Sequence, residues 1–399
     1  MAAEKQAAPK KESRRLRWWT IAARVALGLL FVVGVYLSLV PSGRANVRAA
    51  LILPALLGAR DVGPLAAIGE PIRHTQMTLF NEAGAIYLDI YAPTTPPPPI
   101  PGSREGVVLI PGVGDNRTDA QLVNLSEAMA RVGLVAVDMT STSLIDYVLS
   151  PQDGDSVVRA VQAVQRLPGV GKDRVGIVGF SAAGALACLA AIDPRIRGSL
   201  AFITLFGGFF DATTLLRDFG RRAIEVNGKV QAWSPNIVPL QVLANTIAGT
   251  LPAGEGAILM NAFASGAPPL SASDLAQLSP PAVAAYHLLE GDEPGQVDAN
   301  IAALSPQMHA LLGALSPSAI VGQIKTPVYL LHDRNDQFVP YTQSRDFAAA
   351  LTRLGSPHEY AEFGIFQHVE VKSGPGGGQL LHDGLSLFQV LSLLLQPAS

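Results

Sequence analysis

The sequence predicts an α/β protein: a mostly parallel sheet with helices on both faces, interrupted by a helical cap insertion and preceded by an N-terminal transmembrane helix. Three observations predict it. From about residue 75, short β-rich runs alternate with helices, which implies parallel βαβ units with right-handed crossovers. The alternation stops near Asp211 and resumes at 326–331, with an Ala-, Leu- and Pro-rich block between. Finally, a basic tail at the N-terminus runs into a long apolar stretch.

Residues 1–17 carry six basic side chains (Lys5, Lys10, Lys11, Arg14, Arg15, Arg17) against Glu4 and Glu12. Residues 18–40 are apolar apart from Thr20, Arg24 and Ser38, and Pro41 closes the run. From Val25 the charge-free part is 16 residues, or ~24 Å of helix at ~1.5 Å per residue, against a hydrocarbon core of ~30 Å. Residues 18–23 restore the length if Arg24 snorkels to the headgroups, leaving Trp18 and Trp19 in the interfacial belt. The competing reading is a secretory signal, with Gly43-Arg44-Ala45 as its best cleavage site. Both keep the basic end in the cytoplasm and export the remainder. The reading adopted is an uncleaved single-pass anchor with the remainder of the chain outside. The apolar run 49–59, which contains Pro54, is too short to span. It is expected to lie on the bilayer surface or to pack on the globular part.

In order, 77–80 and 85–91 read as an antiparallel hairpin, and the proline tract 93–101 as a stiff surface loop. Strands follow at 106–110, 134–138, 175–179 and 199–205, separated by helices at 120–132, 156–166 and 183–192. The insertion holds helix-like pieces at 236–248 and 298–314. The chain closes with a strand at 326–331, a helix at 343–354, a strand at 359–362 and a helix at 380–395. The domain boundaries are therefore 1–45 (tail and anchor), 46–74 (juxtamembrane linker or helix), 75–210 with 321–399 (core), and 211–320 (cap).

Composition narrows the function. Net charge is -3, so no nucleic-acid partner is expected. Apolar residues make up 49% of the chain and charged ones only 15%, enough apolar material for one large core. Cys188 is the single cysteine; it cannot form an internal disulfide and, in its apolar run, reads as a small buried side chain. No His/Asp/Glu spacing suggests a metal site, and no cofactor is expected.

Active sites in parallel sheets lie beyond the carboxyl ends of the strands. After the strand at 175–179 comes Gly179-Phe180-Ser181-Ala182-Ala183-Gly184, leading straight into a helix. A serine on a sharp strand-to-helix turn needs small neighbours, and the helix start offers amides to a developing oxyanion. Taken alone, the motif could be a glycine-rich turn with an incidental serine. Two further segments support the nucleophile. The strand at 326–331 is followed by His332-Asp333-Arg334-Asn335-Asp336, and the strand at 359–362 by Phe366-Gln367-His368-Val369. The order Ser181, Asp336, His368 fits a nucleophile, an orienting acid and a general base. His332 is expected to hydrogen-bond locally, His382 to be structural, and Asp138 to be sheet-end polarity.

With these motifs the sequence resembles the α/β-hydrolase superfamily, in particular its dienelactone-hydrolase-like and serine-esterase branches, over 75–210 and 321–399. The family's Gly-x-Ser-x-Gly elbow here ends in Ala183, with Gly179 and Gly184 as its glycines. Its acid loop, often His-Gly-x-x-Asp-x-x-Val-Pro, is matched by His332, Asp336, Val339 and Pro340, with Asp333 where glycine is usual. Asp333 is thus the rival acid. The family also implies an oxyanion hole from the loop after an early strand, here Pro111-Gly112-Val113-Gly114-Asp115, giving the N–H groups of Val113 and Ala182 as donors.

The resemblance implies a serine hydrolase acting through an acyl-enzyme. The apolar cap and the anchor favour a small-molecule carboxylic ester with an apolar portion. A prolyl-oligopeptidase-like peptidase shares core and triad order, though residues 1–75 leave no room for a β-propeller. A silent hydrolase fold serving as a membrane scaffold is the alternative outside enzymes.

Overall fold

The computed structural model describes residues 25–27, 33–37, 39–59, 61–96, 104–372, 374 and 376–396. The basic tail, most of the anchor segment 18–40 and part of the proline tract lie outside these. Among the described residues, no helix is long and apolar enough to cross a membrane.

Helix α1 (Pro41–Leu56) leads into the hairpin β1 (Ile72–Asn81) and β2 (Gly84–Pro93). Next come β3 (Arg104–Ile110), α2 (Ala120–Arg131), β4 (Val135–Ser141), α3 (Asp153–Gln165), β5 (Val170–Phe180), α4 (Ala183–Ala191) and β6 (Leu200–Phe206). The insertion carries α5 (Ala212–Arg221), the ribbon β7 (Ala223–Val226) and β8 (Lys229–Ala232), α6 (Ile237–Ala248), α7 (Ala253–Ala262), α8 (Pro280–Glu290), α9 (Val297–Ala303) and α10 (Pro306–Leu315). The core resumes with β9 (Val328–Asp333), α11 (Tyr341–Leu354) and β10 (His358–Phe363). It closes with the short pair β11 (Phe366–Gln367) and β12 (Glu370–Val371), then α12 (Gly377–Leu394).

The sheet runs β1-β2-β4-β3-β5-β6-β9-β10. The pairs β1–β2 and β2–β4 are antiparallel and the rest parallel. This mostly parallel sheet flanked by helices is consistent with the expected α/β-hydrolase fold. Side chains alternate across it. Val108, Ile110, Val137, Ile177, Ile203 and Leu330 join a core with α3, α4 and the insertion. Val107, Leu109, Ala136, Phe180, Phe206 and Leu331 point to the other face, against α1, α2 and α12.

Two expectations change. The helix expected at 298–314 is two helices, because Pro306 has no N–H to continue the first and sits at the start of the second, capped by the Ser305 side chain. The run around 49–59 packs on the domain, one of the two placements expected for it, but as part of a longer helix that begins at Pro41 and so crosses the boundary drawn at residue 45. Its stripe Ala45, Ala49, Ile52, Ala55 and Leu56 is buried, and Arg48 binds Glu105 of β3 at 2.8 Å. Burying the side chains of Ile52 and Leu56 contributes roughly 1.5–3 kcal/mol each.

Asp218, on α5 of the insertion, has its carboxyl pushed up to about 7, chiefly by burial, against a smaller pull from Gln343. The folded state therefore holds this proton where the unfolded chain has lost it, and stability falls as pH rises through that window. Asp218→Asn is expected to reduce the loss of thermal midpoint between pH 5 and pH 8. Unfolding followed by circular dichroism at both pH values checks it.

Candidate active site

Ser181 follows β5 directly and adopts φ +54, a left-handed conformation rare for a non-glycine residue. The turn is held by the Ser181 amide, which donates to the Phe206 carbonyl at 2.8 Å. It also requires Gly179, since a Cβ there would sit 2.6 Å from the Ala183 carbonyl oxygen. Gly184 lies against Leu205, where a Cβ would be 3.0 Å from the leucine side chain. Sharp turn and small neighbours are thus one constraint: the helix start is pressed onto the strand that feeds it.

Helix α4 begins with Ala182 at its cap and no side chain on its first amides. Such a start presents uncompensated N–H groups. Val113 stands in the loop after β3. Among the described residues, neither the Ala182 nor the Val113 amide has a protein acceptor. The Val113 loop is fixed by hydrogen bonds on both its flanks. Asn116 Nδ2 donates to the Val113 carbonyl at 2.7 Å, and the Gly114 amide to Leu144 at 2.7 Å. Arg117 forks onto Asp115 with two 2.8 Å bonds and reaches Asp89 at 2.6 Å.

His368 sits in the two-residue turn between β11 and β12, also left-handed at φ +63. Its Nδ1 donates to Asp336 Oδ2 at 2.7 Å, which leaves Nε2 as the free nitrogen. The other oxygen of Asp336 accepts from the amides of Phe338 and Val339 at 2.7 and 3.0 Å. His332 Nε2 stands 3.2 Å from Oδ2. Burial by itself would push this carboxyl up, but the charges and hydrogen bonds of His368 and His332 hold it well below the usual carboxylate range. Asp336 therefore stays ionised beside the imidazole. Asp333, the rival, spends its carboxylate on the backbone: it accepts from the amides of Asn335 and Phe366, both at 2.7 Å. It ties the β9 loop to the segment that carries His368.

Ser181, His368, Gly112 and Val113 all line one cavity of about 380 Å³. Its other walls mix polar side chains (Asn116, Asp119, Gln121, Gln367, Glu370) with apolar ones, and the insertion supplies only Asn236 and Val238. No hydrogen bond joins Ser181 to His368 in this resting arrangement, where such contacts are commonly loose. Among the described residues, no group of His, Cys, Asp or Glu side chains gathers to hold a metal ion.

Several contributors escape the sequence reading. Phe338 stacks on the His368 ring at 4.4 Å and 8°. From the insertion, Trp233 Nε1 donates to the Asp336 carbonyl at 2.8 Å. His332 does more than bond locally. It is fully buried, held by Ser344 at 2.7 Å and Val339 at 2.9 Å, and stands behind the acid. Gly207, directly after β6, has φ +66, and a Cβ on it would lie 3.0 Å from the His368 ring and 3.2 Å from Asp336 Oδ2. Its place immediately past a strand end is the signal that could have found it.

No family model and no curated protein matches this sequence. Solved structures do. The Pyrococcus horikoshii acylaminoacyl peptidase is 15% identical with a TM-score of 0.48, over 83% of this chain and 43% of that one. A Mycobacterium tuberculosis puromycin-hydrolyzing peptidase is 16% identical with a TM-score of 0.46, over 81% and 39%. For the 2,6-dihydroxy-pseudo-oxynicotine hydrolase the values are 16% and 0.45, over 81% and 68%. The chain thus spans less than half the length of either peptidase.

Gly207→Ala is expected to push the imidazole off its line to the serine. A displacement of ~1 Å can lower turnover ~10²-fold, and the left-handed φ adds about 1–2 kcal/mol of destabilisation. Steady-state kinetics and thermal unfolding of the variant check both.

Proposed function

We propose that this chain is a serine hydrolase that cleaves a carboxylic ester by acyl transfer. One observation carries the reading. The left-handed Ser181 and the His368–Asp336 pair come from separate strand ends and open on a single cavity, beside two amides without protein acceptors.

Each residue has one task. Ser181 Oγ attacks the ester carbonyl while His368 Nε2 takes its proton. The Val113 and Ala182 amides receive the oxyanion, and such donors are worth ~10²–10³-fold in rate. Asp336 fixes the imidazole with Nδ1 protonated and steadies the imidazolium. Collapse of the intermediate breaks the bond to the alcohol, which leaves with the proton from His368. Water, deprotonated by the same nitrogen, then attacks the acyl-serine; the acid is released and Ser181 regains its hydrogen. An ester is favoured over a peptide by the apolar wall of the cavity and by the apolar segment 18–40, which would hold the domain at a membrane on the exported side.

A fluorophosphonate probe is expected to label the wild type on Ser181, and Ser181→Ala is expected to lose both the label and p-nitrophenyl butyrate turnover, by ~10⁴-fold or more. Labelling of Ser181→Ala equal to that of the wild type would end the reading. His368→Ala is expected to fall comparably, because nucleophile and base act as one unit.

A further inference from the structure

Thr204, in the middle of β6, is 1% exposed, and its hydroxyl has no hydrogen-bond partner. It lines a second, smaller cavity of about 50 Å³ on the α1 and α12 face of the sheet. Ile52 of α1 and Leu391 of α12 close that cavity from the helix side. Thr204 is its single polar side chain. A buried water needs two to four polar partners, so this cavity is dry. A dry cavity in a closely packed interior has forfeited contacts that an apolar group would restore.

The cavity shares a wall with the site cavity. Leu56, Leu125 and Phe180 line both it and the site cavity. Phe180 immediately precedes the nucleophile. All three are apolar and nearly buried, so they can change rotamer without breaking a hydrogen bond. The polar side chains of the site cavity take no part in this shared wall. An ester seated on Ser181 therefore meets a wholly apolar wall on the α1 side and a mixture of polar and apolar groups elsewhere. The sequence suggested the cap as the source of apolar selectivity, yet the cap gives the site cavity only Asn236 and Val238.

We infer that the acyl half of the substrate is an unbranched aliphatic chain that passes between Leu56, Leu125 and Phe180 into the dry cavity under Thr204. This rests on Ser181 being the acyl acceptor. At about 30 Å³ for a water-sized group, the second cavity takes roughly two methylenes beyond the collar. A branch near the collar would collide with it. The juxtamembrane helix is then part of the acyl-binding wall, and substrate length is read between α1 and the sheet.

The test is a p-nitrophenyl ester series from acetate through butyrate, hexanoate and octanoate to dodecanoate, with fluorophosphonate labelling run in parallel. In the wild type, kcat/KM is expected to rise about fourfold for each methylene that enters the cavity, then to stop within about two. Leu391→Phe fills the cavity from the helix side. It is expected to lower the ratio of the best chain to acetate by ~10-fold. Thr204→Val replaces the unpaired hydroxyl with a methyl of the same shape and is expected to raise that ratio about threefold. Should Leu391→Phe fail to fold, Thr204→Val decides. A flat wild-type profile, or a ratio unmoved by the variants that fold, overturns the acyl path while labelling of Ser181 leaves the hydrolase reading intact. Absence of both labelling and turnover would remove the reading and the inference together.

Discussion

The hydrogen bond between His368 and Asp336 is the interaction around which this structure is arranged, because it requires a carboxylate to stay charged in the interior. Removing such a group from water is strongly unfavourable unless every lone pair finds a donor. Here two backbone amides, His332 and His368 supply them. Each donor places a demand on the chain. The amides of Phe338 and Val339 require the tight loop after β9, and His332 requires Ser344 and Val339 to hold its ring. The insertion is drawn in as well, through Trp233 on the Asp336 carbonyl. The approach is closed at its tightest point by Gly207, where a side chain would occupy the space of the imidazole.

Backbone strain marks the same place. Ser181 and His368 are two of the non-glycine residues at positive φ, and such conformations persist where the surroundings over-determine them. The Ser181 amide is anchored on β6, and the helix start behind it presses on Gly179. His368 is fixed by a two-residue turn, by Asp336 on one side and by the Phe338 ring on its face. Ser181 and His368 are thus presented by strand ends rather than by long loops, which is the precision that the proposed acyl transfer would need.

Much of this was legible in the sequence because it is local. The strand–helix alternation, the small residues around Ser181 and the order of serine, aspartate and histidine are patterns along the chain, and the strands fall where that alternation puts them. What was not legible depends on distance. Gly207 reads as one glycine of a pair until β6 is placed beside β9, and Trp233 as an apolar residue until the insertion folds back over the acid loop. The choice between Asp333 and Asp336 also needed space, since both follow β9 and only Asp336 reaches the imidazole. The apolar run before residue 60 left two surfaces open to it; its stripe of alanines with Ile52 and Leu56 matches the apolar face of the sheet. That packing places a helix adjoining the candidate anchor against the wall of the site cavity, through Leu56.

In the proposed hydrolysis Ser181 carries the acyl group between two half-reactions, and that role can be caught in the act. It is tested most directly by mixing the protein with p-nitrophenyl butyrate, quenching in acid within milliseconds, and mapping the added mass by peptide mass spectrometry. A butyryl increment is expected on the peptide containing Ser181, one per chain at most, decaying as the acid product appears. Turnover with no acyl-peptide at any quench time, or with the increment on another residue, would contradict it.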